Sequence, residues 1–201
     1  MAYLQAILDG ILLGGVYGVI STGLSLVFGV LGVVNFAQAE FLMVGMYVAY
    51  FAWAYLGLDP LIAAPLAFGV VFVLGFYIQK LLVGRVMSAP PAAQIFLTVG
   101  LMITLENGAL VLFGSDFRSV NVPYQIQGFR LGEMFVSAPY LYAFLWAVVI
   151  TGALWLFMAR SWTGRAIRAV AQDPMAATLA GINTARTYNI AFGLGVGLTA
   201  F

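Results

Sequence analysis

The 201-residue chain is 64% hydrophobic and only 7% charged, where a soluble domain carries roughly a quarter charged residues. Its net charge is +1, and it has no cysteine and no histidine. Thiolate and imidazole metal sites, cysteine nucleophiles, histidine-based triads and disulfides are therefore excluded within it.

The charge-free intervals set the class. None of the charged residues falls between Asp9 and Glu40, Asp59 and Lys80, or Glu133 and Arg160. Each interval reaches the roughly 20 residues that a helix needs to cross a bilayer. The prediction is an all-α, polytopic transmembrane helical bundle of about six spans.

Leu4 to Val27 reads as the first span, and the N-terminus lacks the basic flank of a secretory signal, so the span is retained. Gly10, Gly14, Gly18 and Thr22 form a small-residue ladder on one face, expected to pack within the bundle. Asn35, Gln38 and Glu40 then interrupt an apolar run. A carboxylate at a span centre costs about 2.5–3.5 kcal/mol on insertion scales, so Glu40 must face protein or water. Two readings stand open: a short cytoplasmic turn between two spans, or a broken helix lining a solute path.

The third span runs from Leu61 to Gln79 after the Asp59-Pro60 turn, and Lys80 to Ala93 is a basic loop ending near Pro90-Pro91. The fourth, Gln94 to Phe113, contains Thr98, Thr104 and the polar pair Glu106-Asn107, which either faces the same cavity or marks a helix end. Gly114 to Ala138 is a long loop with Asp116, Arg118, Arg130 and Glu133, expected to form a small ordered surface segment. The fifth span is Pro139 to Ala159, and a sixth starts at Tyr188 and reaches Phe201 in mid-run, so a C-terminally incomplete chain is expected.

Between the last two spans lies the segment 160–186, with Arg160, Arg165, Arg168 and Arg186, half of the eight basic residues. Asp173 is a good N-cap, Pro174 suits the first helical position and Gly181 supplies a left-handed stop. Two turns of helix are too short to stand alone in water, so a partner must hold them. Met175, Thr178 and Leu179 offer a surface for that partner. Counting Lys and Arg, six fall in the 80–93 and 160–186 loops and two on the other side, which makes the first set cytoplasmic.

These motifs resemble the inner-membrane permease subunits of branched-chain amino-acid ABC transporters of bacteria and archaea. The resemblance rests on Asn35-Phe36-Ala37-Gln38-Ala39-Glu40 after Phe28-Gly29-Val30-Leu31-Gly32, and on Gly164-Arg165-Ala166-Ile167-Arg168-Ala169. Asp173, Ala177 and Gly181-Ile182-Asn183-Thr184 extend it. It implies one transmembrane permease domain over 1–201, in the plasma (inner) membrane, whose 160–186 loop carries a coupling helix. It also implies two ATPase subunits, a second permease subunit and an external solute-binding protein as partners, besides membrane lipid. Gly164, Arg165, Arg168, Asp173, Pro174, Met175, Ala177, Leu179 and Gly181 become the expected coupling residues. Asn35, Gln38, Glu40, Thr98, Glu106 and Asn107 become the expected solute path.

The chain departs from the family pattern at Ala39, usually Gly, and at Glu106-Asn107, commonly Gln-Asn; related permeases handle urea or short-chain amides. No GxxxxGK[ST] phosphate loop occurs, so no cofactor is expected here and ATP belongs to the partner. An intramembrane enzyme built on Glu40 and Glu106 lacks an evident nucleophile–base pair, a passive channel would need no ATPase, and nucleic-acid binding has no basic aromatic face to support it.

Overall fold

The computed structural model describes residues 2–124, 128–131 and 134–201. Glu133 lies outside them. In chain order the elements are α1 (Ala2–Leu31), α2 (Gln38–Leu56), α3 (Pro60–Ile78), a π-helical turn (Gln79–Val83) and α4 (Gly84–Val86). They continue with α5 (Pro91–Phe113), β1 (Gly128–Leu131), β2 (Met134–Ser137) and α6 (Ala138–Arg160). The last three are α7 (Trp162–Gln172), α8 (Pro174–Leu179) and α9 (Thr184–Thr199).

Among the described residues, five stretches are long and apolar enough to cross a membrane: Tyr3–Leu31, Gln38–Leu56, Pro60–Val86, Pro91–Phe113 and Ala138–Arg160. The polytopic helical bundle predicted from composition is thus the observed fold. Where the sixth span was expected there is a helix, α9, which starts four residues before Tyr188 and is not among these five stretches. Its 16 residues reach about 24 Å, short of the roughly 30 Å hydrocarbon core.

Helix ends follow backbone chemistry more than charge. α1 runs past Val27 to Leu31 and stops where Gly32 takes φ 69°, with the Gly32 N–H donating to the Phe28 carbonyl at 2.8 Å. The third span does not end at Gln79. It continues through the π turn and α4 to Val86, because Lys80 and Arg85 are no barrier to a helix while Pro90-Pro91 is. Asp59, read only as part of a turn, caps α3, its Oδ1 accepting from the Leu61 N–H at 2.9 Å ahead of Pro60.

The two ends of the bundle are chemically distinct. At one end β1 and β2 pair antiparallel, with Phe129 opposite Val136. Gln5 grips this hairpin: its Oε1 accepts from the Phe135 N–H at 2.9 Å and its Nε2 donates to the Phe135 carbonyl at 2.7 Å. The Tyr124 hydroxyl donates to Asp59 Oδ1 at 2.8 Å nearby. Burial, and then that bond to a carboxylate, push the Tyr124 phenol above its ordinary range. The other end carries Lys80, Arg85 and the segment from Arg160 to Arg186.

α9 is the centre of the packing, against α1, α2, α3 and α7. Ala191, Phe192 and Val196 are fully buried, and Phe192 meets Phe41 of α2 edge-on at 6.1 Å between ring centroids. Small residues make the approach possible. A Cβ added at Gly195 would stand 2.6 Å from the Gly23 carbonyl oxygen, and one at Gly193 would stand 2.8 Å from the Phe72 carbonyl oxygen. The ladder expected to do this on α1 does not: Gly10, Gly14 and Gly18 have open space where their side chains would be. Gly15, against Phe144, and Gly23 make the close contacts instead.

Gly195→Ala should therefore destabilise the protein by about 1–3 kcal/mol, the usual cost of overpacking, whereas Gly18→Ala should be neutral. Thermal unfolding of the two variants in the same lipid or detergent checks this.

Candidate functional site

Asn35 and Gln38 are both buried, and together they organise the break between α1 and α2. The Asn35 side chain accepts from the Ala37 N–H at 3.2 Å, a local turn that restarts the helix. Its Nδ2 donates to Gln38 Oε1 at 3.0 Å. Gln38 Nε2 in turn donates to the Gly195 carbonyl of α9 at 3.3 Å and to Thr199 Oγ1. Thr98 of α5 closes the group, its hydroxyl donating to the Val34 carbonyl at 3.2 Å. Three helices, α2, α5 and α9, are thereby tied at the one irregular stretch of backbone that follows α1. Irregular backbone in a span needs such partners, because lipid offers none.

Glu40 sits in the first turn of α2, where the free N–H groups and the helix dipole favour a carboxylate. Its Oε2 is buried without a hydrogen-bond partner among the described residues. Of the expected path residues, Asn35, Gln38 and Thr98 meet here, and Glu40 borders them in sequence. Glu106 and Asn107 do not join. They are exposed on α5, and Asn107 Nδ2 bonds its own helix at the Ile103 carbonyl, 2.8 Å away.

The basic segment is an elbow of two helices where one was expected. Ser161 caps α7 by accepting from the Gly164 N–H at 2.8 Å. Gly164 is required by space, since a Cβ there would lie 2.6 Å from the Met158 and Phe157 carbonyl oxygens. Arg165 donates to the Arg160 carbonyl at 3.2 Å and Arg168 to the Met158 carbonyl, so both cations serve the C-terminus of α6. On the opposite face Ala166, Ile167 and Val170 are buried.

α8 has the predicted caps. Asp173 Oδ1 accepts from the Met175 and Ala176 N–H groups at 2.8 and 2.9 Å. Gly181 takes φ 84° and the Ile182 N–H returns to the Ala177 carbonyl at 3.0 Å. Ala177 faces inward, whereas Met175 and Leu179 are 76% and 82% exposed. Those two are four residues apart, on one face of a helix of about 9 Å.

The family model described as "Branched-chain amino acid transport system / permease component" matches residues 6–201. The chain belongs to this family. It is 29% identical over 212 residues to the high-affinity branched-chain amino acid transport system permease protein BraD of Pseudomonas aeruginosa, covering 98% of this chain and 68% of that protein. The corresponding protein LivH of Escherichia coli is 32% identical over the same 98% and 68%. A probable branched-chain amino acid transport permease protein of Methanocaldococcus jannaschii is 28% identical, covering 91% of this chain and 60% of that one. No solved structure matches.

In this permease-family chain one further feature escaped the sequence reading. A cavity of about 530 Å3 lies between α2 and residues 114–120, lined by Met43, Tyr47, Tyr50, Leu110, Asp116 and Arg118 among others. The Arg118 guanidinium stands 5.4 Å from the Tyr50 ring centroid and donates to the Phe113 carbonyl at 2.8 Å. The available signal was an acid and a base two residues apart directly after a span, which a surface loop explains equally well.

The Gln38 tie yields a direct test. Gln38→Met and Thr199→Val should each destabilise, the former by about 1–3 kcal/mol because it leaves the buried Asn35 Nδ2 without its acceptor. In a double-mutant cycle the two should be coupled by at least about 0.5 kcal/mol, measured by denaturant unfolding.

Proposed function

We propose that this chain forms the transmembrane permease domain of an ABC importer for branched-chain, hydrophobic amino acids in the inner (plasma) membrane. Its solute path passes the break at Asn35, Gln38, Glu40 and Thr98, and its energy arrives through α8 from a separate ATPase subunit. A second permease subunit and an external solute-binding protein complete the assembly. ATP is bound by the partner, and this chain performs no covalent chemistry.

The observation that carries the reading is α8 itself. A six-residue helix has too little cooperative energy to persist unaided, yet here both ends are capped and an apolar i, i+4 pair is presented outward. Such a helix suits a groove on a soluble partner. It is also joined to the interior: α7 packs on α1, α6 and α9, and α9 follows α8 after Gly181-Ile182-Asn183. Movement of α8 by the ATPase would therefore act on α9, and α9 holds the break through Gly195 and Thr199.

Glu106 marks a second polar face, apart from the break. It stands seven residues, about 10 Å, inside the end of α5 at Phe113 and is exposed. A carboxylate at that depth does not face hydrocarbon, so this side of α5 faces water or a partner subunit. The cavity at Tyr50 and Arg118 lies beside the same end of α5, and its apolar walls with one acid and one base suit a hydrophobic zwitterion.

Two experiments follow. Cysteines placed singly at Ser88 and Ala180 should react with an impermeant thiol reagent from the cytoplasmic side, and one at Ser119 from the outside; labelling of Ala180 and Ser119 from one face contradicts the topology. Gly181→Val forces a β-branched residue to positive φ, so it should lower ATPase copurification and abolish solute-stimulated hydrolysis and uptake together. Stimulated hydrolysis at the wild-type level in Gly181→Val would remove α8 from the coupling.

A further inference from the structure

Gly114 takes φ 77° where α5 ends, and the chain turns there toward α2. The turn brings Asp116 and Arg118 to the cavity of about 530 Å3 that α2 shares with residues 114–120. That volume lies within the range of about 300–1,000 Å3 common to small-molecule sites.

An acid and a base two residues apart on a loop usually satisfy each other or water. Here Arg118 turns to the helices instead. One of its N–H donors, on Nη2, goes to the Phe113 carbonyl at 2.8 Å. The guanidinium also lies 5.4 Å from the Tyr50 ring centroid and 5.6 Å from that of Phe51. A last-turn carbonyl and two aromatic rings thus fix the cation in place. Its other donors, and the Asp116 carboxylate, are left for a ligand.

The remaining walls are apolar: Met43, Met46 and Tyr47 of α2 and Leu110 of α5 among them. Met43 stands one turn along α2 from Glu40, so the cavity reaches the edge of the break. A simple anion would meet Arg118 but also Asp116, and a simple cation would meet the reverse. Both charges are served only by a molecule that carries an anionic and a cationic end, and the walls require a hydrophobic body between them. Methionine side chains adapt to aliphatic groups of different shape, so the fit is by charge and apolarity.

We propose that Arg118 holds the carboxylate, Asp116 the ammonium, and Met43 and Met46 the aliphatic side chain of the transported amino acid. The assignment rests on the importer reading given above. It adds to that reading the residues of this chain that recognise the solute, before the break is reached.

The chain has no cysteine, so Ser115→Cys, in the cavity wall, provides a single reporter. The assembled transporter in proteoliposomes is treated with a maleimide at rising concentrations of L-leucine, and alkylation of this chain is read on a denaturing gel. L-leucine should protect with a midpoint about tenfold below those of isocaproate, which lacks the ammonium, and isoamylamine, which lacks the carboxylate, since one charged hydrogen bond supplies that discrimination. L-isoleucine should protect as well as L-leucine. Asp116→Asn should erase the preference over isocaproate alone, and Arg118→Gln the preference over isoamylamine alone. A loop that merely lost its order would erase both at once. Equal midpoints for leucine and the two analogues in the parent, or loss of both preferences in Asp116→Asn, overturns the proposal. Leucine uptake by the wild-type transporter is measured alongside. Uptake without protection overturns this site and leaves the importer reading standing, whereas protection without uptake keeps the site and contradicts that reading.

Discussion

A Cβ on Gly195 would stand 2.6 Å from the Gly23 carbonyl oxygen, and one on Gly45 would stand 2.7 Å from Ala200 Cα. The backbones of α1, α2 and α9 are therefore at the closest approach that chains without side chains permit. In hydrocarbon this matters more than in water, because no apolar transfer energy drives one helix onto another. Dispersion between backbones and the hydrogen bonds that closeness allows must do the work. The reach of Gln38 to the Gly195 carbonyl, at 3.3 Å, is one of those bonds. Without the glycines α9 would be held away, and the break at residues 32–37 would lose its main external partner.

That break is expensive structure kept in place by local accounting of polar groups. Gly32 lets the chain leave α1, the Asn35 side chain imitates a turn, and Thr98 takes up the Val34 carbonyl from another helix. What is left over is Glu40 Oε2. That oxygen has no hydrogen-bond donor among the described residues, although it sits at a helix N-terminus beside a satisfied polar cluster. The elbow follows the same rule: Arg165 and Arg168 satisfy the last carbonyls of α6, leaving the apolar pair on α8 as the part turned outward.

The sequence made the class, most of the spans and the caps of α8 readable, because each rests on local chemistry: charge-free length, Asp before Pro, Gly at a stop. Three things were hidden. α7 reads as loop in the sequence because its arginines dominate the pattern, although Ile167 and Val170 form a buried face. The packing glycines were assigned to the regular ladder Gly10, Gly14, Gly18, when irregularly spaced Gly15 and Gly23 carry the contacts. Which residues pack depends on the azimuth of α1 against α6 and α9, and spacing within one helix does not encode it. The polar residues divided for the same reason: Asn35 in the break, Gln38 of α2 and Thr98 of α5 converge, while Glu106 and Asn107 stay exposed on α5.

In the proposed coupling, α9 links the elbow to the break through Gln38. Solute-stimulated ATP hydrolysis by a reconstituted transporter carrying Gln38→Met, with ATPase copurification measured on the same sample, tests it most directly. The account predicts a transporter that still assembles with its ATPase but hydrolyses ATP at the unstimulated rate whether or not loaded binding protein is present. Normal assembly with wild-type stimulation would contradict it, and would leave the Gln38–Gly195 contact as packing alone.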